Sequence, residues 1–156
     1  MAKFSAMRSV PYSVEQIFGI AGNVADYPAF LPLVKRSVVT DMVIGLDGKK
    51  HFIADLQFAY PKLGISDSLR SRVVVDPAAC TVTATSNEGP VKSLISEWKI
   101  LARATGGSDI HFTVDYTLKS RSLQFLLSGM FDLIVRRIMT AFEERARALY
   151  GAPVAA

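Results

Sequence analysis

Polar and apolar residues alternate from Lys3 to Val10 and the alternation stops at Pro11, which predicts a first β-strand over residues 3–10. Ser13-Val14-Glu15-Gln16 then has the form of a capping box, in which Ser13 accepts from the third backbone N–H of a helix and Gln16 answers it. Val14, Ile17, Phe18 and Ala21 follow at helical spacing, and Gly22-Asn23 is a stop signal. In Asp26-Tyr27-Pro28-Ala29-Phe30-Leu31-Pro32 the two prolines exclude a long helix, leaving a short turn or 3₁₀ segment whose aromatics look exposed.

From Val34 to Lys119 the pattern is that of strands: 34–44, 49–60, 65–75, 79–86, 91–103 and 108–119. Turn signals separate them at Gly45–Gly48, Pro61–Gly64, Asp76-Pro77, Asn87–Pro90 and Thr105–Gly107. Connections this short predict antiparallel hairpins in chain order. In the last strand Ile110, Phe112, Val114, Tyr116 and Leu118 share one face, while His111, Thr113, Asp115 and Thr117 share the other. Strand 79–86 sets Cys80, Val82 and Ala84 against Thr81, Thr83 and Thr85. One face of the sheet is dry, and something must cover it.

The cover is a helix over about residues 122–149, some 40 Å long at about 1.5 Å per residue, with Leu127, Phe131, Ile134, Ile138, Phe142 and Leu149 as its inner stripe. Its two halves differ. Arg136, Arg137, Thr140, Glu143, Glu144 and Arg147 give the second half a polar face, but the same sector of the first half holds Phe125, Leu126, Gly129 and Leu133. Only Gln124, Ser128 and Asp132 relieve it. Either a neighbouring loop such as Tyr27–Leu33 covers this apolar start, or a ligand or membrane meets it. Gly129 would permit a bend or close contact there.

The 156 residues suit one domain spanning 1–156, and with half of them hydrophobic and 21% charged the chain is not disordered. No apolar run reaches the roughly 18 residues of a membrane span. The first residues, Met1–Ala6, show neither a secretory signal nor a transit peptide, so a cytoplasmic protein is expected, with peripheral attachment to the inner face of the membrane as an option. One cysteine and two histidines are too few for a disulfide or a typical zinc site, and no metal or cofactor is expected. The net charge of +4 suits an anionic membrane or RNA as well as an ordinary surface; nothing points to DNA.

No hydrolase, zincin, P-loop or dinucleotide signature occurs. Cys80 sits on the face assigned to the interior, His51 and His111 on the wet face, and Arg70 and Arg72 are placed to pair with acids on a neighbouring strand. Trp98 shares a face with Leu94 and Ile100, and its indole N–H needs a partner if buried. Without a nucleophile–base pair the chain reads as a binding protein rather than an enzyme.

Taken together, Pro11-Tyr12-Ser13, the Asp26–Pro32 segment, Ser68-Leu69-Arg70-Ser71-Arg72-Val73, Asn87-Glu88-Gly89-Pro90, Trp98 and Val135-Arg136-Arg137 leading into Ala141–Ala146 resemble the START-like, polyketide-cyclase and lipid-transport superfamily, in its coenzyme Q-binding branch. The resemblance runs from about residue 3 to 151. It implies an α+β helix-grip fold: a curved antiparallel sheet wrapped on a long C-terminal helix, with two short helices after the first strand and a deep apolar cavity. It further implies binding of ubiquinone or a related polyprenyl lipid in support of respiration, and the branch also contains ribosome-association toxins. Leu33 stands where that branch often has tryptophan.

The expected function is therefore non-catalytic carriage of a hydrophobic quinone. Cavity walls are expected from Phe52, Leu56, Phe58, Trp98, Phe112, Val114 and Tyr116, and a gate from Tyr27, Phe30, Leu31, Phe125, Met130, Phe131 and Ile134. The alternatives are a ribosome-binding regulator that uses Lys35, Arg36, Arg136 and Arg137 on RNA phosphates, and an aromatase or cyclase, which would need inward polar groups of which the sequence shows few.

Overall fold

A computed structural model describes residues 2–31, 33–61 and 64–152. Seven antiparallel strands form one sheet in the order β1-β7-β6-β5-β4-β3-β2. They are β1 (Ala2–Val10), β2 (Val34–Ile44), β3 (Lys50–Tyr60), β4 (Ile65–Asp76), β5 (Thr81–Ser86), β6 (Val91–Ala102) and β7 (Ser108–Leu118). Between β1 and β2 lie helix α1 (Val14–Gly22) and a 3₁₀ segment (Val24–Ala29), and helix α2 (Arg121–Tyr150) ends the chain. This is the START-like helix-grip fold, α+β in class.

The capping box forms as its sequence predicts: Gln16 N donates to Ser13 Oγ at 3.1 Å and Ser13 N to Gln16 Oε1 at 3.0 Å. Strand alternation also holds. Register pairs Trp98 with Phe112, Ser96 with Val114 and Leu94 with Tyr116, so the apolar sides of β6 and β7 share the concave face. Gly107 closes the β6–β7 turn at φ +77°, where a Cβ would run into the Val10 carbonyl oxygen.

Two apolar clusters result. The main one joins α1, the 3₁₀ segment and the second half of α2 to the sheet around Phe142, Ile17, Ile100 and Ile110. Phe142 is fully buried and meets Tyr27, Phe30 and Trp98 with ring centroids 6.4, 5.4 and 4.7 Å away. The smaller cluster holds Val91, Val114, Tyr116 and Leu118 under the first half of α2. Phe112 and Phe131 pack against both.

Several expectations are corrected. Cys80 lies in the turn before β5 rather than in a strand, half-buried at φ +54°, because β5 begins only at Thr81. Tyr27 is buried, and its hydroxyl donates to the Ala21 carbonyl oxygen at 2.5 Å, which lets a phenol enter the core. Leu149 is 51% exposed, and Val135, Met139 and Ala146 complete the buried stripe in its place. A Cβ at Gly129 would meet nothing within 4 Å, and α2 runs through it unbroken, so that glycine makes no close contact with the described chain. Pro32 of the aromatic segment and Lys62 and Leu63 of the β3–β4 turn lie outside the described residues.

Candidate ligand-binding site

Helix α2 packs along β1 and β7 and against α1, so it occupies one side of the concave face. Its second half is clamped. Arg8 Nη1 donates to Thr140 Oγ1 at 3.0 Å and lies 3.7 Å from Glu143, while the Tyr12 hydroxyl donates to the Gly151 carbonyl oxygen at 2.9 Å. The first half is tied by two polar residues that turn inward: Leu118 N donates to Gln124 Oε1 at 2.6 Å, and the Ser128 and Tyr116 hydroxyls lie 3.3 Å apart. With those two facing the sheet, the outer side of the first half keeps Phe125 (84% exposed), Leu126 and Leu133 in the open.

The expected covering loop is elsewhere. Tyr27 and Phe30 pack on Phe142 near the other end of α2, and the Arg145 guanidinium lies 5.4 Å above the Phe30 ring, held 3.7 Å from Asp26. Burial pushes the Tyr27 phenol's pKa upward. Tyr27 and Leu31 are therefore core residues, and the expected gate divides between the two ends of the helix.

What the structure does bring together is a set of apolar side chains on the concave face and on α2. On the sheet, Phe52, Ala54, Val73 and Val75 are buried, whereas Leu56, Phe58 and Leu69, towards the β3–β4 turn, are only half-buried. On α2, Leu127, Met130, Ile134 and Ile138 form a half-buried stripe at helical spacing along the flank of the buried residues. Phe58, Met130 and Ile134 pack against neither cluster. Trp98, Phe112, Val114 and Tyr116 share one face of β6 and β7, with Trp98 tilted against Phe112 at 4.3 Å. Phe131 stacks on Phe4 at 4.1 Å and packs against both apolar clusters. Phe125 points away from that set.

The inward residues of the wall strands from Phe52 to Leu56, Leu69 to Val75, Val82 to Ser86, Leu94 to Ile100 and Ile110 to Leu118 include no charged side chain. Besides Tyr116, the polar ones among them are Ser71, Ser86 and Ser96, which sequence reasoning did not single out as inward. Arg70 faces the opposite side and meets Asp55 at 3.6 Å, as its position predicts. A groove of about 500 Å³ at the same end of β4, β5 and β6 mixes Asp41, Arg70, Arg72 and Glu88 with Ser71, Ser86 and Leu94.

Among the described residues no hydroxyl or thiol is hydrogen-bonded to a histidine, and no group of three His, Cys, Asp or Glu side chains could hold a metal ion. No helix among them is long and apolar enough to cross a membrane.

Residues 10–143 match the family described as polyketide cyclase/dehydrase and lipid transport. A Rickettsia prowazekii protein named ribosome association toxin RatA is 23% identical over 94% of this chain and 97% of its own. The Schizosaccharomyces pombe mitochondrial protein named coenzyme Q-binding protein coq10 is 25% identical over 92% of this chain and 86% of its own. Among solved structures, an 18 kDa Caulobacter crescentus protein superposes with a TM-score of 0.83 at 23% identity, covering 97% and 100% of the two chains. The Zhui aromatase/cyclase of Streptomyces does so with 0.82 at 14%, covering 98% and 99%.

Proposed function

The chain belongs to the polyketide cyclase/dehydrase and lipid transport family, and on that premise we propose that it is a non-catalytic carrier of a hydrophobic small molecule, ubiquinone or a related polyprenyl quinone, in support of respiratory electron transport. What supports this reading, in which the ligand lies in a cleft between β3–β6 and α2, is that the inward residues of those strands from Phe52 to Leu56, Leu69 to Val75, Val82 to Ser86 and Leu94 to Ile100 include no charged side chain, that α2 makes its main strand contacts with β1 and β7 instead, and that Phe58, Met130 and Ile134 pack against neither apolar cluster. Apolar walls remove a tail from water at about 25 cal/mol per Å² and need no charged contact. The coenzyme Q-binding relative supplies the ligand class.

A peripheral membrane contact fits the same reading. Phe125, Leu126 and Leu133 stand exposed on the outer side of α2, with Arg121 before them and Arg136 and Arg137 one turn after, a combination suited to an anionic bilayer surface. The test is transfer of ubiquinone between donor and acceptor vesicles. Catalytic amounts of a carrier accelerate it, and a rate equal to that with an inert protein contradicts the reading.

A second reading, a regulator that binds a ribosomal subunit, is favoured by the relatives named ribosome association toxin and by the exposed side chains of Lys35, Arg36, Arg136 and Arg137. It requires co-sedimentation with a subunit that weakens steeply as salt rises, through counterion release. Likeness to the aromatase/cyclase at 14% identity carries the fold alone.

A further inference from the structure

Helix α1 packs chiefly on β5, β6, β7 and α2, while the 3₁₀ segment packs on β2. Between them, over the ends of β3 and β4, lies a crevice of about 450 Å³, within the range of about 300–1,000 Å³ usual for small-molecule sites. Val24, Phe52 and Val75 are buried at its floor, Phe18 and Val39 are half-buried on its sides, and Ala25 and Met42 are exposed at its mouth. Two of the three α1 residues that line it, Gly19 and Gly22, carry no side chain.

One charged side chain enters this lining. Lys50 opens β3 on the same face as Phe52 and is half-buried, with Val75 opposite it on β4 and Ile44, 70% exposed, opposite it on β2. Its ammonium has no ion pair or hydrogen bond among the described residues. The acids that adjoin the crevice residues in the chain are engaged elsewhere. Asp76 lies 3.9 Å from Lys49, and Asp26 accepts from the Asn23 amide at 2.9 Å and lies 3.7 Å from Arg145. A cation without a partner, set in an apolar crevice, is complementary to an apolar chain that ends in a single negative charge.

We propose that this crevice is a second binding site, for a single-chain fatty acid, with the carboxylate on Lys50 and the chain laid between Phe18 and Val39 over Phe52. The site is separate from the quinone cleft: Lys50 pairs with Val75 at one end of β3, and Phe58 pairs with Asp67 towards the other. An apolar lining removes the chain from water at about 25 cal/mol per Å². A carboxylate on an ammonium that water still reaches avoids the cost of burying a lone charge. A phosphate head group suits the crevice less, because it is matched by the forked donors of arginine and no arginine lines the space. An uncharged quinone gains nothing from Lys50.

The experiment titrates the wild-type protein at neutral pH with dodecanoate and with dodecanol, the same chain without the charge, by isothermal calorimetry. Dodecanoate is expected to bind one to one and more tightly than dodecanol. Lys50→Met keeps the stem and removes the charge. It is expected to lower dodecanoate affinity about tenfold, the effect of a charge-assisted hydrogen bond partly open to water, and to leave dodecanol affinity unchanged. Ala25→Trp, which fills the mouth from an exposed position, is expected to weaken binding of both probes, with melting and quinone transfer as in wild type. Dodecanoate that does not bind, or that binds wild type and Lys50→Met equally, overturns the inference. So does dodecanoate binding that survives Ala25→Trp and is lost in Ile134→Asn, which puts the chain in the quinone cleft instead. The quinone-transfer assay reads none of these results, so the carrier reading stands or falls separately.

Discussion

Replacing Ile134 with asparagine separates ligand binding from folding. Ile134 is half-buried on the cleft side of α2 and packs against neither apolar cluster, so the ligand-free protein gives up little when it changes. A fully buried isoleucine side chain contributes about 1.5–3 kcal/mol; with half that burial present before binding, a tail in the cleft gains about 1 kcal/mol from covering the rest. The asparagine amide, covered by the same tail without a partner, costs about 1–3 kcal/mol more. The sum, about 2–4 kcal/mol, is a loss of about 30-fold to nearly a thousandfold in affinity. Trp98, the one tryptophan of the chain, stands in the cleft wall and reports binding through quenching of its emission by a short-tailed quinone. The ligand-free variant should melt within about 4 °C of wild type, the shift expected for at most about 1 kcal/mol in a chain of this size. An unchanged quenching midpoint would refute the assignment of this stripe to the site.

Other perturbations test the framework around the cleft. Phe142→Ala, at the fully buried junction of Tyr27, Phe30 and Trp98, should lower stability in chemical denaturation by about 3–5 kcal/mol. The Tyr27 phenol, raised by burial above its ordinary value of 10.0, stabilises the fold fully below pH 10 and progressively less above it, as the unfolded state ionises first. Tyr27→Phe should therefore flatten the alkaline limb of a denaturation series while losing about 1 kcal/mol at neutral pH with the Ala21 hydrogen bond. Phe125→Ser with Leu133→Ser should leave melting unchanged and reduce sedimentation with anionic vesicles, because both side chains are largely exposed already.

Much of the architecture was legible along the chain. Alternation in Ile110–Leu118 assigned the inner face of β7, and the Ser13–Gln16 box fixed the start of α1, because both signals are local. The misses are cases where tertiary contact decides. Tyr27 looks exposed until Ala21 offers its carbonyl oxygen, and Cys80 looks like a strand residue until the turn takes a left-handed φ there. Leu149 continues the apolar period, but the buried stripe drifts across α2 to Val135, Met139 and Ala146. Ser71 and Ser96 are each one polar residue on an apolar face, unremarkable in a single strand. Only register sets them beside Ala54 and Ala84 on one concave surface, although they are 25 residues apart in the chain. The apolar start of α2 was visible in sequence, but what faces it was not, since Tyr27 and Phe30 fold to the opposite end.

The most direct test of the central claim is native mass spectrometry, with organic extraction, of the protein purified from a quinone-producing host. The cleft predicts a co-purified quinone at near-stoichiometric amount, lost in Ile134→Asn. A protein that arrives empty from such a host, and stays empty when quinone is added, would contradict the account.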